Sequence, residues 1–196
     1  MSSKEFLQSA YPKAKFESRV HDSDYGFEII HMKDVKSNIQ LVFTDGCSRY
    51  EQNVSGEENA DLKQIELYFC LPDYLNLEVA DWPIHWLQRI ARVPQKNNTW
   101  FGYGDTLPAG SPPEHLTESF LANHFILSKP IHLSDKLENN GDFKFLAVIP
   151  LFETEFSYKM RNSHTVLFDK FKKKGITELV DLYRASVCRK RILGMF

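Results

Sequence analysis

Three short runs in the first half of the chain carry the pattern of β-strands. Residues 27–32, 39–44 and 64–70 are rich in β-branched and aromatic side chains, with Asp45-Gly46 after the second and Leu71-Pro72-Asp73 after the third as turn chemistry. The third alternates polar and apolar positions as far as Leu67, so an antiparallel sheet with one covered face is the simplest assembly. The period then lengthens. Ile84, Leu87, Ile90 and Ala91 recur at helical spacing, with Asp81 placed to cap the helix, Pro83 in its first turn and Val93-Pro94 to end it. Residues 97–113 read as a turn-rich loop longer than most, and its aromatics Trp100, Phe101 and Tyr103 argue that it is ordered.

Strand character returns at residues 123–127 and 143–149. Ser163 can then cap a helix carrying Leu167 and Phe171 that Gly175 stops, and Thr177 a last helix with Leu179, Leu182 and Tyr183 on one face. Strands grouped early and late around helices, without regular alternation, predict an α+β fold: a mixed or antiparallel sheet covered by helices, in a single domain over residues 1–196.

Length agrees, since 196 residues make one core that hides roughly 70% of the unfolded surface. Hydrophobic residues at 42% and charged residues at 26% are globular proportions. A net charge of -2 gives no overall attraction to nucleic acid or anionic lipid. No run of 18 apolar residues occurs and the first residues lack the order of a secretory signal, which predicts a cytoplasmic protein with no membrane partner. Cys47, Cys70 and Cys188 are odd in number and form no CxxC, so reduced thiols are expected rather than a disulfide framework or a zinc site.

The charges are unevenly placed. Residues 51–81 hold eight acids (Glu51, Glu57, Glu58, Asp61, Glu66, Asp73, Glu78 and Asp81) against Lys63, whereas residues 158–196 hold ten bases against three acids. Such a field accelerates association with a basic protein, while an ordinary solvated loop explains the acids equally well. The basic end includes Arg189-Lys190-Arg191, which reads as a solvated terminal helix rather than a phosphate-binding surface.

Other chemistry is sparse. Seven histidines show no HxH or HExxH pattern, so no metal is expected. Glu153 and Glu155 share a face if they lie on a strand, as acid–base chemistry would want, but acids in the first turn of a helix are favoured by its dipole, and that reading is preferred. Gly102-Tyr103-Gly104 lacks the remaining letters of a phosphate loop, and no GxSxG elbow is present.

The segment Asp81-Trp82-Pro83-Ile84-His85-Trp86-Leu87-Gln88-Arg89-Ile90-Ala91-Arg92 resembles the Suppressor-of-fused domain family, whose helix carries Trp-Pro, then Leu or Met with Gln, then an aliphatic residue with Ala-Arg. The resemblance runs on through Asn98-Thr99-Trp100, Gly104-Asp105, Phe145-Leu146, Glu155 and Asn162, in the family's order. It implies structural roles for Trp82, Pro83, Leu87, Gln88, Ala91, Arg92 and Gly104. The chain is similar in length to the short stand-alone bacterial members, without the further C-terminal domain of the animal Hedgehog-pathway regulator. For such members the resemblance implies immunity proteins or antitoxins paired with secreted polymorphic toxins, including LXG-type nucleases, with no catalytic residues and no cofactor. A non-catalytic protein that captures a basic cognate toxin is therefore expected, without direct nucleic-acid contact. The candidate partner-binding residues are Glu57, Glu58, Asp61, Glu66, Asp73, Trp100 and Asp105. Rival readings are an enzyme built on the 97–113 loop with a distant His or Glu, and a scaffold that sequesters another cytoplasmic protein.

Overall fold

The computed structural model describes residues 1–138 and 142–188. Seven strands form one mixed sheet: β1 (Lys15–Asp22), β2 (Phe27–Asp34), β3 (Ile39–Asp45), β4 (Ile65–Pro72), β5 (Thr106–Pro108), β6 (His124–Ser128) and β7 (Lys144–Leu151), in the order β1-β2-β3-β4-β7-β6-β5. The first four make an antiparallel meander, β4 and β7 run parallel, and β6 and β5 complete the far edge in antiparallel register. The sheet is thus mixed rather than wholly antiparallel.

Both of its faces are covered, contrary to the expectation of one. Successive strand residues point to opposite sides, and here both sets are apolar. Val42, Leu67, Phe69, Leu146 and Val148 meet Leu87 and Ile90 of α2 (Trp82–Ala91) in one cluster. Leu41, Phe43, Tyr68, Phe145 and Ala147 meet Leu7 of α1 (Ser3–Ala10) and Leu137 of α4 (Ser134–Leu137) in another. Ile126, Ile149 and Leu151 are covered by α5 (Glu153–Arg161) and α6 (His164–Lys173), the latter through Leu167 and Phe171.

Several local expectations change. Asp81 precedes α2, but its backbone is already helical and its side chain accepts no cap bond, so Pro83 alone marks the start. Val93-Pro94 does not end helical structure: Pro94 sits in the first turn of α3 (Val93–Asn97), where its missing N–H costs nothing. The 97–113 loop contains β5. Thr177 begins no helix; the chain is irregular there, and Leu179 makes an isolated parallel bridge to Cys70 of the central strand β4. Residues Arg189-Lys190-Arg191 lie outside the described residues.

Two elements carry little signal in the pattern. α1 begins with a reciprocal capping box, the Glu5 N–H donating to Ser2 Oγ and the Ser2 N–H to Glu5 Oε2. β1 is an edge strand with Lys15, Glu17 and Arg19 along it and a register shift between Ser18 and Val20, both devices that discourage a further strand from pairing.

Candidate functional site

Gln52 assembles the candidate surface. Its amide donates to the carbonyls of Leu62 (2.7 Å) and Phe101 (3.3 Å), while its Oε1 accepts the Phe101 N–H at 2.9 Å. The buried side chain therefore ties the 3-10 turn Glu57–Leu62 to the start of the aromatic loop. Leu62 is the buried anchor of that turn, and Glu57, Glu58 and Asp61 stand in solvent around it.

Asp61 faces the loop. The Tyr103 hydroxyl is pushed up to about 12, first by burial and then by the negative fields of Asp61 and Glu138. Lys129 Nζ sits 4.7 Å from the Tyr103 ring centroid, so the aromatic face is flanked by acids and one cation. Beyond Asp61 the surface dips into a depression of about 380 Å³ that also includes Glu51, Lys63 and Lys144, with Lys63 paired to Glu51 at 3.2 Å.

The loop itself is pinned to the sheet. Asp105 Oδ2 accepts the Gly102 N–H at 2.8 Å, closing the turn, and the Gly104 N–H and the Asp105 carbonyl bond to Leu127 of β6 at 2.8 and 2.9 Å. The Trp100 ring folds so closely over Gly102 that a Cβ there would lie 2.7 Å from it. Gly104 has a φ of +86°, and a Cβ would lie 2.2 Å from the His164 ring. The two glycines admit aromatic rings and a left-handed backbone; they make no phosphate cradle.

The remaining candidates separate. Glu66 is 0% exposed and offers no surface to a partner. It points between strands and accepts the Gly46 and Ser48 N–H groups and the Thr44 and Ser48 hydroxyls. Burial raises its pKa to about 7 despite those bonds. Asp73 follows the C-terminal end of β4, whereas the acidic turn precedes its start, so a strand about 26 Å long, at roughly 3.3 Å per residue, lies between them in the chain. Half-buried, Asp73 uses its carbonyl to accept Lys33 Nζ at 3.2 Å. Five of the seven candidates, Glu57, Glu58, Asp61, Trp100 and Asp105, therefore share one end of the sheet.

Glu153 and Glu155 open α5, as the dipole argument prefers. Glu155 is fully buried, pairs with both Arg184 Nη atoms at 2.7 and 2.8 Å and accepts the Val187 N–H at 3.0 Å. Glu178, also fully buried, accepts the N–H groups of Ile131, His132 and Leu133 and the Tyr68 hydroxyl. Each buried carboxylate fastens an irregular segment whose N–H groups have no ladder to join. None of these pairings has a local spacing that a sequence pattern could display.

The inner face of the signature helix is packed into the core. Trp82 packs edge-on to Phe69 at 5.4 Å between ring centroids, and Pro83, Leu87 and Ala91 are buried beside it. Gln88 and Arg92 reach the buried carboxylate of Asp22 at 3.1 and 2.7 Å. Two histidines elsewhere are occupied by structure: His31 bonds Gln40 at 2.7 Å, and His124 stacks on Phe156 at 3.9 Å, with burial lowering the pKa of both histidines. Among the described residues no group of three or more His, Cys, Asp and Glu side chains could hold a metal ion, and no helix is long and apolar enough to cross a membrane.

A seven-stranded mixed sheet between helical layers, with an aromatic loop and an acidic turn at one end as the candidate surface, defines an α+β domain. The family model of the Suppressor of fused protein (SUFU) matches residues 23–185, and the chain belongs to that family. A SUFU homolog from Neisseria gonorrhoeae has a similar structure, with a TM-score of 0.69 at 18% identity over 95% of each chain. The Sufu–Fu complex is similar at a TM-score of 0.63 and 15% identity, covering 93% of this chain and 89% of that one. Drosophila Suppressor of Fused gives 0.57 at 15% identity over 93% of this chain and 50% of its own. Comparison with curated protein sequences finds no match.

Proposed function

We propose that this SUFU-family domain is a non-catalytic immunity protein that captures one cognate secreted toxin by stoichiometric binding. Family membership supports a protein-binding role, since one similar structure is a complex of Sufu with Fu. The observation that carries the reading is the exposed trio Glu57, Glu58 and Asp61, held by Gln52 against the Trp100–Asp105 loop. A nuclease toxin must offer a basic surface to its phosphate substrate. An acidic protein can occupy that surface while like charge turns nucleic acid away. The aromatic loop beside the acids supplies apolar contact area, which charge alone does not.

The test is co-purification with the product of the adjacent gene, followed by rate constants across a salt series. A stoichiometric complex that silences the partner's toxicity is the expected result, and failure of the partner to bind or be silenced removes the immunity role. Reversing Glu57, Glu58 and Asp61 to Lys should slow association and flatten its salt dependence, because exposed charges act through the long-range field. Unchanged rates would move the binding face away from this end of the sheet.

A further inference from the structure

Two of the bases at the other end of the sequence, Arg161 and Lys170, line a cavity of about 520 Å³ between α5, α6 and the chain at residues 187–188. Thr154, Tyr158 and Arg161 stand at helical spacing along one face of α5, with Asn162 after them; Lys170 enters from α6, and Cys188 lies on the remaining side. Among the described residues no carboxylate lines the cavity.

Its polar groups are arranged and incompletely used. Lys170 Nζ lies 4.8 Å from the Tyr158 ring centroid, which holds the ammonium over the cavity wall. Asn162 donates one amide hydrogen to the Tyr158 carbonyl at 2.8 Å, and among the described residues its other amide hydrogen has no acceptor. Among the described residues neither Arg161 nor Lys170 has a carboxylate within ion-pair distance. Arg184, by contrast, spends its guanidinium on Glu155 and the Pro150 carbonyl. Both cations occupy last turns of helices, where they also favour the dipoles. The dipoles, however, require neither a cavity of ligand size nor neutral donors between the cations.

We propose that this cavity binds a small phosphate monoester, a site distinct from the acidic end and independent of the toxin-capture reading. Two cations match the near-double negative charge of a monoester at neutral pH, whereas a carboxylate leaves one of them unneutralised. Three terminal oxygens suit the Arg161 fork, the Lys170 ammonium and the Asn162 amide together. The Tyr158 ring and the Val187 side chain give the ester's organic body a wall.

Titration of the full chain with phenyl phosphate, and separately with benzoate, tests this by calorimetry and two-dimensional NMR. Phenyl phosphate is expected to shift the Asn162 side-chain amide and the Tyr158 ring signals and to bind at least tenfold more tightly than benzoate. Arg161→Gln and Lys170→Gln should each weaken it by about tenfold or more, the loss of one charge-assisted hydrogen bond. Lys172→Gln combined with Lys173→Gln removes charge from exposed positions outside the cavity and should leave binding within about twofold of the parent. Wild-type melting temperatures in all variants would exclude unfolding as the cause. Absent shifts at Asn162 and Tyr158, equal binding of benzoate, or an equal loss in the Lys172/Lys173 control would each overturn the proposal.

Discussion

Arg92 donates its Nε–H to Asp22 across 2.7 Å, joining the end of α2 to the end of the first strand. Asp22 is almost wholly buried, with 2% of its side chain exposed. Gln88, one helical turn before Arg92, donates to the same oxygen at 3.1 Å, and the Arg92 guanidinium lies 5.5 Å from the Tyr25 ring centroid. Two signature residues four apart thus grip one carboxylate at the edge of the β1–β2 hairpin. This explains why a helix with an apolar inner face also needs an amide and a guanidinium at those positions.

Removing the guanidinium while keeping its stem tests that grip. Arg92→Met should cost about 3 kcal/mol, the lower end of the loss when one partner of a buried pair is deleted, because Gln88 still serves Asp22. Asp22→Asn in the same chain should recover part of it, since the orphaned charge is gone. Urea midpoints of the two single variants and the double variant measure the coupling. Strict additivity would show that the pair contributes nothing of its own.

The apolar stripe of α2 is expected to be core, and Leu87 is its most enclosed member at 0% exposure. Leu87→Ala should destabilise by about 2–5 kcal/mol through lost burial and a residual cavity. A loss below about 0.5 kcal/mol in denaturant melts, the range of neutral surface changes, would contradict the packing.

Legibility in the sequence followed the range of the forces involved. The 3.6-residue period of α2 and the β-branched runs of β2, β3, β4 and β7 are local, and those elements fall where the pattern places them. The polar edge strand β1 escapes because alternation is weak where one side faces water and Arg19 sits in a bulge. Thr177 through Tyr183 has helical spacing but is kept irregular by Glu178, whose buried carboxylate binds N–H groups at 131–133, and by the Leu179–Cys70 bridge. Glu66 misleads for the same reason. An acid in an alternating strand looks solvent-facing, and the Thr44 hydroxyl of β3 together with the turn at 46–48 that follows it supplies the donors that let it lie inside. The acidic turn and the aromatic loop are each visible as composition, yet their union depends on Gln52, which carries no motif.

At Gly104 a left-handed backbone coincides with the His164 ring pressed against the missing side chain. Gly104→Ala should therefore destabilise by at least the roughly 1–2 kcal/mol of the left-handed conformation, with a steric cost added. His164→Ala in the Gly104→Ala background should return the steric part and leave the backbone part. If the double variant is no more stable than Gly104→Ala, the ring is not what forbids a Cβ there.

Glu66 makes stability depend on pH in a direction set by burial. Its pKa rises from an ordinary 4.5 to about 7, so in that window the folded chain keeps a proton that the unfolded chain has released. The folded state binds more protons, and stability contributed by this group must fall as pH rises from 4.5 through 7, then level off. The full step is about 3 kcal/mol, at roughly 1.4 kcal/mol per pH unit. His31 and His124 act in the opposite sense, since burial lowers their pKa values and their neutral forms are favoured as pH rises. Comparison of the wild type with Glu66→Gln cancels the histidines, which both chains share. The difference in unfolding free energy between the two should shrink with rising pH in favour of the variant across pH 4.5–7. A difference that stays constant over that range would mean that Glu66 is ionised throughout, and that the donors at Gly46, Ser48 and Thr44 outweigh the cost of burying its charge.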